Sequence, residues 1–184
     1  MTDNTQTNPL YSMLNGDVNP DMTIRMFRAV SDMSKLGAPD SHLLIQSPGG
    51  FVEDGIVLFN ILNNLPFKLY TYNGGAVQSI AVLIFLAGAY RACSATATFM
   101  IHRSAGGANP GTSPATMKII ADRLIANDIR VESILRQRIT LTDAQWKMHA
   151  ESDLHLTAAE ALACGLVHEI KDFAPPTGSQ VFNI

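Results

Sequence analysis

Apolar positions along this chain keep two rhythms, one near 3.6 residues and one of two, and the rhythm switches repeatedly. Ile24, Phe27 and Val30 recur at threes, a helical stripe that predicts a helix over residues 21–36. The run "HLLIQSPGG" is apolar and then stopped by Pro-Gly-Gly, the pattern of a short strand ending in a tight turn. Val52, Ile56, Phe59 and Leu62, spaced by four and three, predict a helix over 52–64 with one apolar face. "FKLYTYN" alternates and is rich in aromatics, as a strand is.

Residues 79–89 are almost entirely apolar and follow Gly74-Gly75, which predicts a buried helix entered through a glycine turn. "ATFMIH" is the next strand, and "RSAGGANPGTSPAT" is a Gly/Pro/Ser-rich loop. Met117, Ile120, Leu124, Val131 and Leu135 then mark one long helix, 115–138, with charged residues on its other face. "TDAQ" at Thr142 and "TAAE" at Thr157 fit the capping box and start two further short helices. Gly165 closes the second of these, and "LVHEI" is a final strand.

Strands alternating with helices require crossover connections, so the expected class is α/β, a mostly parallel sheet with flanking helices. With 47% of 184 residues apolar, the chain can bury one sizeable core, and a single domain over 1–184 is expected. Residues 1–12 and the tail 174–184 are expected to be loosely attached.

The formal charge of −3, from 13 basic and 16 acidic residues, offers no basic patch for a phosphate backbone, so no nucleic-acid partner is expected. Cys93 and Cys164 lie far apart without CxxC spacing; they read as small core residues of a reducing compartment. The polar start "MTDNTQTNP" lacks the layout of a secretion signal. The longest apolar run, Ile80 to Ala89, is half the roughly 20 residues a membrane span needs. A soluble cytoplasmic protein with no membrane partner is therefore expected. No GxxxxGK[ST] loop occurs, and no cofactor is expected.

One polar pair, Gln78 and Ser79, stands at the head of the apolar run, and His102 ends the following strand. A serine hydroxyl attacks at neutral pH only if a base takes its proton, so a catalytic serine needs an imidazole within hydrogen-bond reach. Two parallel neighbouring strands would bring Ser79 and His102 together at their C-terminal ends. Equally, serine at a helix start is a common N-cap that needs no chemistry, and a strand-end histidine is often structural. The residues alone leave both readings open.

Four motifs in order bear on that choice: "IQSPGG" at 45–50, "GAVQSIA" at 75–81, "FMIHRSAGG" at 99–107 and "SDLHLTAAEALACGLVHEI" at 152–170. Together they resemble the proteolytic subunit of the Clp protease family over about residues 43–171. The resemblance implies a Clp protease/crotonase-like fold with the 115–138 helix as a projecting handle. It also implies a Ser-His-Asp triad, with Ser79 as nucleophile, His102 as general base and Asp153 as the carboxylate that orients it. Asp143 and Asp172 compete with Asp153 on sequence grounds, and only the resemblance separates them. By the same resemblance the Gly50 and Ile80 amides form the oxyanion hole, and Gly106 and Gly107 belong to an extended stretch that lies beside the bound peptide.

The implied function is a serine endopeptidase that cleaves peptides or unfolded proteins inside a ring-shaped homo-oligomer, with two stacked heptamers as its fullest form. An AAA+ ATPase unfoldase is a candidate partner. The alternatives are a non-catalytic Clp-like ring subunit and a crotonase-type acyl-CoA enzyme. His149, Asp153 and His155 set two imidazoles about a carboxylate but lack the i, i+4 histidine pair of a helical zinc site, so no metal is expected. His42 and His168 read as structural. Gln78 stands where the family has a small residue, and "HRSAGG" replaces its "HQP", so substrate preference does not carry over. Only about 42 residues precede the first strong motif, with little likeness to the family's N-terminal segment.

Overall fold

A computed structural model describes residues 8–37 and 39–184. The first half of the chain runs β1 (Leu10–Asn15), α1 (Pro20–Leu36), β2 (Asp40–Ser47), α2 (Val52–Leu62), β3 (Lys68–Gln78), α3 (Ala81–Leu86), β4 (Tyr90–Cys93) and β5 (Thr98–Ile101). The second half runs α4 (Pro114–Arg138), α5 (Asp143–Glu151), β6 (Leu154–Thr157), α6 (Ala158–Ala163), β7 (Glu169–Ile170) and β8 (Val181–Asn183). The strands form one sheet in the order β6-β5-β3-β2-β1-β8, with β4 branching from β3 and carrying β7. Every pairing is parallel except β5 with β6.

The strand that matters most for the site is β3, because one of its edges serves two partners. Its first half, Tyr70 to Asn73, pairs with β4, and its end, Ala76 to Gln78, pairs with β5. Between them the ladder to β2 slips: Ile45 faces Asn73, but Ser47 faces Val77. Gly74 and Gly75 therefore lie inside a bulged strand, which corrects the expected glycine turn. Side chains occupy the backbone groups freed there. The Ala76 amide donates to Gln46 Oε1 at 3.0 Å, and the Gly75 amide donates to the buried Asn73 Oδ1 at 2.9 Å. Asn73 Nδ2 reaches the Thr98 carbonyl at 2.9 Å, tying the bulge to β5. Bulges commonly re-aim a strand end beside a functional site.

Beyond that end, α3 is buried along its whole length, and Phe85 meets Phe99 edge-on at 5.1 Å. Removing one such aromatic side chain from water contributes roughly 2–3 kcal/mol, so α3 is anchored by burial rather than by capping. The helix is shorter than the predicted 79–89, and the residues after it form β4, a strand that the periodicity does not reveal.

In α1, Asn19 accepts the Met22 amide at 2.9 Å and Pro20 opens the first turn, the chemistry of a stable helix start. Its buried face carries Met22, Met26 and Met33; of the predicted stripe Val30 packs against the core, while Ile24 and Phe27 are 47% and 41% exposed. The helix has apolar residues on two faces, and packing against the sheet selects the methionine face.

Ser113 caps α4, of whose 25 residues only Asn127 and Leu135 are buried, so the helix projects from the body. Both expected capping boxes are present, at Thr142 and Thr157. The tail departs from the expectation of loose attachment over 174–184: β8 pairs with β1, and the Ile184 amide donates to the Met13 carbonyl at 2.9 Å. Likewise Leu10 to Ser12, expected to be loose within 1–12, belong to β1, while residues 1–7 lie outside the described residues. No helix among the described residues is long and apolar enough to cross a membrane.

Candidate active site

Ser79 follows the last residue of β3 and takes φ of +55°, the only positive φ on a described residue other than glycine. That conformation costs a serine about 1–2 kcal/mol. The Ser79 amide donates to the Met100 carbonyl at 2.7 Å and its carbonyl accepts the Val82 amide at 3.0 Å, which holds the strained turn in place. No amide of α3 is capped by its hydroxyl. Its Oγ lies 2.8 Å from His102 Nε2. The N-cap reading of Ser79 is thereby displaced.

His102 arrives by the parallel register of β3 with β5, in which Gln78 faces Met100. Asp153 arrives by the antiparallel register of β5 with β6, whose last pair is Ile101 with Leu154. His102 Nδ1 and Asp153 Oδ1 are 3.5 Å apart, with Asp153 about half exposed. Nothing in the ion pairs of the described residues links His102 to Asp143 or Asp172. With a proton on Nδ1 facing the carboxylate, Nε2 is left as acceptor for the serine hydroxyl.

The Pro48-Gly49-Gly50 turn packs directly under Ser79. A Cβ on Gly49, whose φ is +97°, would lie 2.6 Å from Ser79 Cβ; one on Gly50 would lie 2.1 Å from the Val18 carbonyl oxygen. Only glycine fits either position. Ser47 Oγ accepts the Gly49 amide at 3.1 Å, and Phe51 donates to Val18, so the turn is clamped on both sides. Neither the Gly50 nor the Ile80 amide donates to an acceptor among the described residues.

Ser79 and His102 open into a cleft of about 540 Å³ whose walls include Gly50, Glu53, Gly106 and Gly107. The segment after His102 is held by Asp128, which accepts the Ser104 amide at 2.6 Å. Gln78 and Arg103, the departures noted in the sequence, do not line this cleft. Instead the wall carries Glu53, Arg123 and Asn127, none of which the motifs singled out. Glu53 had a legible signal, since it falls three residues after Gly50 in the first turn of a predicted helix. Asn127's amide donates to Glu53 and holds its carboxyl below the usual range, with Arg123 and Arg130 adding to the effect.

His149 is buried on α5 and His155 sits exposed on β6 opposite Met100. His42 Nδ1 meets the Tyr72 hydroxyl at 2.9 Å within a stack of aromatic rings, and His168 Nδ1 accepts the Arg91 amide. Cys93 and Cys164 are buried and unpaired, and burial pushes both thiols up.

Residues 13–173 match the family model described as Clp protease. The ATP-dependent Clp protease proteolytic subunit of Streptococcus equi is 31% identical over 167 residues, covering 87% of this chain and 83% of the relative. The protein of the same name from Streptococcus pyogenes is 30% identical over the same shares. Among solved structures, a point mutant of ClpP1 from Listeria monocytogenes has the same fold, with a TM-score of 0.76 over 91% of this chain and 92% of that one, at 22% identity. The chain belongs to the Clp protease family. That membership makes it a Clp-type serine peptidase.

Proposed function

We propose that the chain is a serine endopeptidase using Ser79, His102 and Asp153, and that it works in the cytoplasm as a ring-shaped homo-oligomer. The observation that carries the reading is the 2.8 Å contact between Ser79 Oγ and His102 Nε2, two residues that line an open cleft. His102 takes the hydroxyl proton as Ser79 attacks the peptide carbonyl, and Asp153 stabilises the imidazolium that forms. The Gly50 and Ile80 amides, unspent within the fold, receive the developing oxyanion. Collapse expels the amine, protonated by His102, and leaves an acyl-serine that water then hydrolyses. The substrate lies extended along Gly106 and Gly107, where main-chain hydrogen bonds hold its backbone without reading its side chains.

Oligomer formation is supported by apolar side chains left on the surface, Ile24 and Phe27 on α1 and Ile119, Ile125 and Ile129 on α4. The name of the relatives, which calls them ATP-dependent, supports an AAA+ ATPase partner, and no GxxxxGK[ST] loop occurs in this sequence. Hydrolysis of short fluorogenic peptides by the assembled protein, abolished in Ser79→Ala, is the expected result. Sedimentation at micromolar concentration showing only a 19.9 kDa species contradicts the ring.

A further inference from the structure

The cleft beside Ser79 carries fixed charge that its catalytic reading does not use. Glu53 lies in the first turn of α2, and one of its carboxylate oxygens accepts a hydrogen bond from Asn127 Nδ2 at 3.1 Å. Asn127 is 5% exposed on α4, and its Oδ1 accepts from Arg130 Nη1 at 3.3 Å. That second bond sets the amide orientation: the oxygen faces Arg130, so the NH2 faces Glu53. A buried amide thus clamps the carboxylate to the cleft wall. A carboxylate has about four acceptor sites, so one bond from Asn127 leaves capacity for a substrate donor.

Arg123 also lines the cleft, with the opposite charge. Both side chains are exposed, but no hydrogen bond or ion pair among the described residues holds Arg123. The two charges are therefore unequal as recognition elements. Glu53 is preorganised and loses little freedom when a ligand arrives, whereas Arg123 must be ordered to act and can swing into solvent. Apart from His102, Glu53 and Arg123 are the titratable side chains among the described residues lining the cleft.

Resting on the peptidase reading above, we infer that Glu53 is a specificity-determining residue: the cleft favours peptides with a basic side chain close to the bond that Ser79 attacks. An acidic side chain there meets the like charge of Glu53, which works against binding. Arg123 dilutes the selection without reversing it.

The test compares kcat/KM for paired fluorogenic peptides differing only in Lys or Glu before the cleaved bond, using the assembled full chain. A ratio taken in one preparation cancels any difference in the amount of folded enzyme. The wild type is expected to favour the Lys peptide, Glu53→Gln to lower the Lys-to-Glu ratio about tenfold, and Glu53→Lys to invert it. Arg123→Ala is expected to raise the ratio. An unchanged ratio in both Glu53 variants overturns the inference, whatever the overall rate. Absence of cleavage of every peptide, together with an unreactive Ser79, brings down the peptidase reading itself and the inference with it.

Discussion

Ile101 faces Leu154 as the last antiparallel pair of β5 and β6, so the residue after the one and the residue before the other, His102 and Asp153, meet with Nδ1 and Oδ1 3.5 Å apart. The carboxylate beside His102 is thus supplied by strand register and not by proximity in sequence, which fits the triad proposed above. Asp153→Asn is expected to leave the fold intact and reverse the favoured imidazole tautomer. Peptide turnover should fall by about 10²- to 10⁴-fold, the upper figure being the serine-protease value. Asp143→Asn, at the start of α5, should stay near wild type. A wild-type rate for Asp153→Asn removes that residue from the mechanism.

Arg91 makes a separate prediction about stability. Its guanidinium is buried and donates to the carbonyls of Leu166, Gly88 and Gly165 at 2.8, 3.1 and 3.0 Å, joining β4 to the end of α6. Arg91→Met keeps much of the volume but strands three acceptors. A loss of about 3 kcal/mol is expected from chemical denaturation. A midpoint and slope equal to wild type would show that the carbonyls find water instead.

Some of this architecture is legible from residue patterns, and the reasons for the gaps are physical. The hydroxyl caps at Thr142 and Thr157 act through local bonds, so sequence spacing alone reveals them. By contrast β4 is four residues long and contains a buried arginine, which breaks any apolar alternation. Gly74-Gly75 reads as a turn because the signal for a bulge is the same dipeptide; only the partners Gln46 and Asn73 distinguish them. The buried face of α1 is hidden in the sequence because both of its sides carry apolar residues. In the site, Ser79 is ambiguous between cap and nucleophile because the choice depends on a single dihedral angle, +55°. Asp153 cannot be separated from two other aspartates without the strand β6, which Thr157 hides by ending the strand and capping the next helix at once.

Burial makes stability depend on pH. His149 is 3% exposed, and burial holds its imidazole below the ordinary value of about 6.5, with the Glu132 charge opposing without reversing the shift. Burial lowers His42 and His168 as well. Since the folded state resists protonation, the unfolded state takes up protons first as pH falls below about 6.5, and stability declines with it. The urea midpoint should therefore drop between pH 7.5 and pH 5.5. His149→Gln should flatten that slope, whatever it does to the midpoint at neutral pH. An unaltered slope would assign the dependence to other groups.

The proposed nucleophile, Ser79, can be tested without any substrate. A fluorophosphonate reacts with a serine only when a neighbouring base activates it. Mass spectrometry of the labelled, assembled protein is expected to find the adduct on Ser79 alone, with labelling lost in His102→Ala. An adduct on another serine, or a folded and assembled protein that does not react, would contradict the account.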